Sequence, residues 1–79
     1  MSVTTVKTSQ FALDGDLIVV TIQIQRGDRL YESKRECNKS DYVNGEGAID
    51  EDKMSKLMVA HQTALRNKIE SGYAVPLSN

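Results

Sequence analysis

Two side chains in this sequence could serve as nucleophile or proton carrier, and each occurs once: Cys37 and His61. Histidine changes charge near neutral pH and is the commonest metal ligand, so His61 is where proton transfer or metal contact would first be sought. Its neighbours complete neither role. No second histidine, no cysteine at ligand spacing and no carboxylate four residues away supplies a metal set or an acid–base dyad. Cys37 would need an adjacent base to become a thiolate, and nothing nearby in the chain provides one.

Three further patterns suggest chemistry and fall short of it. Residues 41–52 hold Asp41, Glu46, Asp50, Glu51 and Asp52 among glycines. With Gly45 at the sixth position of a calcium loop, however, Ser40 and Tyr42 take the first and third places, where acids are needed. Arg26-Gly27-Asp28 spells the tripeptide read by integrins, but between two hydrophobic segments Gly27-Asp28 is first of all turn chemistry. Arg26, Arg29, Lys34, Arg35 and Lys39 surround Tyr31, a combination that can grip single-stranded nucleic acid. Asp28, Glu32 and Glu36 are interleaved, so five bases against three acids leave only +2 over residues 26–39. The residues therefore predict no catalytic centre, no metal and no cofactor.

The elements that would carry these residues are plainer. Over residues 17–25, Ile18, Val20, Ile22 and Ile24 recur at every second position, the period of a strand with one buried face. Asp14-Gly15-Asp16 before it is a hairpin turn, so the Thr- and Val-rich segment ending in Phe11-Ala12-Leu13 is an antiparallel neighbour. An Asp14-Gly15 loop sets Phe11 opposite Ile18, Ser9 opposite Val20, Lys7 opposite Ile22 and Thr5 opposite Ile24. A Gly15-Asp16 loop also keeps Phe11 and Leu13 on the isoleucine face. On the other side a Gly27-Asp28 loop sets Tyr31 opposite Ile24, Ser33 opposite Ile22, Arg35 opposite Val20 and Cys37 opposite Ile18. Arg35 then points among isoleucines and must snorkel past a covering element, pair with an acid or mark a bulge. Leu17, Val19 and Val6 form a small apolar island on the opposite, wet face.

Turn formers fill residues 38–49 and break both periodicities, which predicts a loop. From Asp50 the period becomes 3.6, and Met54, Leu57, Met58, His61, Ala64, Leu65, Lys68 and Ile69 share one stripe of a helix. Asp50 can cap its start, and Gly72 is the natural stop. His61 sits on that stripe as a partly buried structural histidine. The tail Ala74-Val75-Pro76-Leu77 is apolar enough to dock on the body or on a partner. The expected fold is α+β: a three-stranded antiparallel meander over about 3–13, 17–26 and 29–37, with one amphipathic helix over about 50–71 on one face.

At 79 residues there is room for one small domain, taken as 1–79, with 38–49 as its loop and 73–79 as its tail. Ten basic and eleven acidic side chains give a net charge of -1, so no global field draws it to nucleic acid or to an anionic membrane. One cysteine, no secretory signal and no long apolar run predict a soluble, cytoplasmic protein without membrane contact. What remains is surface. The expected partner-binding residues are Asp41, Tyr42, Glu46, Asp50, Glu51, Asp52, Val59, Leu17 and Val19, with a protein partner or a homodimer in view. The alternative is a nucleic-acid binder using Arg26, Arg29, Lys34, Arg35 and Lys39.

The order of a hairpin, Cys37-Asn38 closing the last strand, an Asn- and Asp-bearing loop and a helix ending Glu70-Ser71-Gly72-Tyr73 resembles small proteins of tailed phages and prophages over residues 17–73. An N-terminal strand stands here where those proteins have a helix. The resemblance implies an accessory protein that acts by binding, including inhibition of a host protein, and implies no catalytic residue.

Overall fold

The computed structural model describes residues 3–77. Strands β1 (Thr4–Asp14), β2 (Leu17–Arg26) and β3 (Arg29–Asn38) form one open antiparallel sheet in the order β1-β2-β3, and helix α1 (Glu51–Glu70) follows. The sheet and helix bury Ile18, Val20, Ile22, Ile24 and Tyr31 against Met54, Leu65 and Ile69. The α+β meander with one covering helix is therefore the fold, and period-two patterning in β2 set which face is dry.

Pairing of β2 with β3 follows the expected register, with Ile24 opposite Tyr31 and Ile18 opposite Cys37. Pairing with β1 corrects the first of the two alternatives. Leu13 faces Ile18, Phe11 faces Val20 and Ser9 faces Ile22, so the loop is Gly15-Asp16. Gly15 has φ 60 while Asp16 does not enter positive φ, the pattern of a type II′ turn with glycine first. An Asp14-Gly15 loop would have forced aspartate into the conformation that glycine takes here.

A second correction lies at Lys7, where the register shifts between Val6 and Thr8. Lys7 is an extra residue in a β-bulge. Val6 pairs with Ile24 and Thr5 with Gln25, so Val6 leaves the wet face and packs against the core. Val6 is out of phase with Phe11 and Leu13, and one unpaired residue between them lets all three share the helix side.

The segment 38–49 is more ordered than a plain loop. A single 3₁₀ turn covers Lys39–Tyr42, Val43 bridges Ile49, and the Asn44 side chain accepts bonds from the Glu46 and Ala48 N–H groups at 2.8 and 3.1 Å. Asp50 caps α1 by accepting from the Asp52 and Lys53 N–H groups. At the other end Gly72, at φ 80, donates to the Ile69 carbonyl while Tyr73 donates to the Lys68 carbonyl, a Schellman stop. The tail then docks: the Leu77 N–H donates to the Leu30 carbonyl at 2.7 Å, on the outer side of β3.

Candidate functional site

Helix α1 packs mainly over the central strand β2 and covers the edge strand β1 less. The turn-proximal end of β1 is therefore left open on its outer side. Phe11 and Leu13 point to the helix side yet remain 40% and 52% exposed, and Val59 on the facing flank of α1 is 56% exposed. Between Phe11 and Val59 runs a cleft of about 360 Å³, lined also by Ser9, Met54, Met58 and Gln62. Gln62 donates to the Ser9 hydroxyl at 2.7 Å and ties helix to strand at one end. Glu51 and Ser55 complete the wall at the other. The outer main-chain edge of β1 borders the same surface, so apolar side chains and unpaired backbone groups stand side by side.

The predicted partner residues divide. Val59 and Glu51 belong to this flank. Asp52, Asp41 and Glu46 are exposed elsewhere, and Asp50 is occupied as the helix cap. Tyr42 packs against the core and is half-buried, away from this flank. Leu17 and Val19 lie half-buried on the opposite sheet face, where Ala12 rather than Val6 is the neighbour of Val19. The middle of that face is bridged by hydrogen bonds from Thr8 to Gln23 at 2.9 Å and from Gln23 to Glu32 at 2.8 Å, a satisfied polar ladder suited to water. Phe11, Leu13 and Met58 were not among the predicted contacts. Alternation places Phe11 and Leu13 on the helix side of an edge strand, but it does not say that the helix leaves them open.

The basic residues do not form one patch. Arg26 and Arg29 pair across the β2–β3 turn, Lys39 follows the other end of β3, and Lys34 faces the uncovered side with Glu32 at 4.0 Å. Arg35 resolves its placement by snorkelling: opposite Val20, it reaches a small cleft of about 200 Å³ beside His61 and Lys68. His61 is half-buried there, and burial, then the Arg35 charge, lower its pKa. Burial, then Asp41, raises the pKa of Cys37, whose thiol lies 3.7 Å from the Ile18 carbonyl. A thiol held protonated is a poor nucleophile. Among the described residues no group of three or more His, Cys, Asp and Glu side chains is placed to hold a metal ion, and no helix is long and apolar enough to cross a membrane.

Comparison with protein-family profiles, with curated proteins and with solved structures finds no match. The functional reading therefore rests on this geometry.

Proposed function

We propose that this chain is a non-catalytic protein-binding module that engages its partner through the flank formed by the outer edge of β1 and the facing side of α1. The observation that carries the reading is the adjacency of exposed Phe11, Leu13 and Val59 to an unpaired strand edge. Main-chain groups on such an edge supply hydrogen bonds, and pockets beside it take alternate side chains. Apolar side chains rimmed by polar ones mark contact sites on small proteins. The resemblance to phage and prophage accessory proteins extends the proposal to a binder of a host protein.

Affinity capture compares the wild-type chain with a Leu13→Lys/Val59→Lys variant, whose two altered side chains are exposed, so folding is expected to survive. The expected result is a protein retained by the wild type, a second copy of the chain included, and lost with the variant. Equal retention by both, or retention of nothing by the wild type, would reject the reading.

A further inference from the structure

The two edges of the sheet are treated differently. The start of β3 is occupied by the chain's own tail through Leu77 and Leu30, whereas the outer edge of β1 has no neighbour among the described residues. Because the two-residue loop Gly15-Asp16 makes Asp14 and Leu17 the bonded closing pair, the alternation of an antiparallel ladder turns the N–H and C=O groups of Ser9, Phe11 and Leu13 outward. The Leu30 carbonyl, which does accept from the tail, occupies the equivalent place next to the second hairpin turn.

We propose that the partner on this flank is a second copy of the chain, joined by antiparallel pairing of the two β1 edges into a continuous six-stranded sheet with both helices on one face. This rests on the protein-binding reading of the flank and names its occupant.

Charge is the deciding feature. Within Thr4–Asp14 the only charged residues are Lys7 and Asp14, near opposite ends. The facing flank of α1 repeats the pattern: Glu51 stands at its start, Ser55, Met58, Val59 and Gln62 are uncharged, and Arg66 follows Gln62 by one turn on the same row. A two-fold axis through Phe11, perpendicular to the sheet, sets Phe11 against its own copy and Ser9 against the partner copy's leucine at position 13. It brings each Lys7 beside the acids at 14 and 16 of the other copy and points each Glu51 toward the arginine at 66. Lys7 and Glu51 of each copy thus meet opposite charges under one operation, the complementarity that an isologous interface requires.

The spacing also fits. Helix α1 packs mainly over β2, and three strand spacings separate the two copies of β2, so the helix axes lie about 14 Å apart. Direct helix packing needs roughly 8–10 Å. The remaining gap is the space that Phe11, Leu13, Met58 and Val59 of both copies would fill.

Sedimentation equilibrium of the purified chain, run over a concentration series, should give a mass twice 8.8 kDa. Lys7→Glu and Asp14→Lys each act at two symmetric contacts and should raise the dimer dissociation constant about 2- to 30-fold. The Lys7→Glu/Asp14→Lys double swap should return it toward the wild-type value, a rescue that general loss of stability cannot produce. Phe11→Asp should give a folded monomer by circular dichroism. A wild type that stays monomeric up to about 1 mM, corresponding to under about 4 kcal/mol of association, overturns the proposal. So does a dimer indifferent to all three positions. If the monomeric wild type retains a different protein and Phe11→Asp loses it, the second-copy assignment fails while the binding reading stands; if it retains nothing, both fail.

Discussion

Deleting Lys7 is the most discriminating perturbation of the fold, because the structure makes an unusual claim about it. Lys7 is exposed and has no partner across β2, while Val6 pairs with Ile24 and Thr8 with Gln23 on either side. Its removal leaves every Cα pairing and every facing direction intact, so the cost should stay within about 1 kcal/mol. Val6→Ala should cost about 1 kcal/mol, roughly half the 1.5–3 kcal/mol of a fully buried aliphatic side chain, since Val6 is only half-buried. With a urea slope of about 1 kcal/mol/M for a domain this small, that is a midpoint shift of about 1 M. Deleting Thr21 provides the contrast. It lies in regularly paired β2, so its loss turns one half of Ile18, Val20, Ile22 and Ile24 to the wrong face and should abolish folding. Urea denaturation followed by far-ultraviolet circular dichroism measures all three. If deleting Lys7 costs more than about 2 kcal/mol while Val6→Ala leaves the midpoint unchanged, Val6 is not on the helix side and the bulge is wrong.

Three further outcomes follow from named contacts. Asp50→Ala removes the acceptor for two N–H groups and should lower the thermal midpoint by several degrees, about 1 kcal/mol, whereas Asp50→Asn should keep most of it; equal loss with both would contradict the cap. Gly15→Ala should destabilise by about 1–2 kcal/mol although the new methyl meets nothing within 4 Å, because φ is 60, while Gly45→Ala should be neutral or stabilising, as its space is equally open and its φ is not positive. His61 should titrate by NMR below the ordinary 6.5, and Arg35→Gln should raise its pKa. The unfolded chain then takes up the proton more readily, so the histidine-linked part of stability is present above the ordinary value and falls as pH drops through the lowered folded value. A folded pKa at or above 6.5 would refute the burial argument.

The sheet's dry face, the β2–β3 register, the helix and its Asp50 cap were legible because each is a local periodicity or a local polar residue next to a glycine turn. The β1 register was not, since two adjacent loops were compatible with Asp14-Gly15-Asp16, and what separates them is that Gly15 takes positive φ while neither aspartate does. The bulge was hidden for a related reason. Apolar residues in β1 occur at Val6 and then at Phe11 and Leu13, and a phase break within one strand cannot be told in advance from an apolar residue on the wet face. The order within 38–49 depends on Asn44 folding back on its own loop and on Val43 meeting Ile49, contacts that turn composition alone does not specify.

The candidate surface was least legible, and the reason is geometric. Alternation says which side a residue faces and says nothing about whether anything is there to cover it. Strand spacing makes a three-stranded sheet about 10 Å across between the axes of its outer strands, and a helix is about 10 Å wide, so coverage fails first at an edge strand rather than in the centre. The tail relieves this at β3, where Ala74 packs on the core and Leu77 bonds to Leu30. Nothing in the described chain does the same for β1. The alternation in β1 codes for burial at Phe11 and Leu13 while the fold leaves them open, and that contrast is what the proposed second-copy interface rests on.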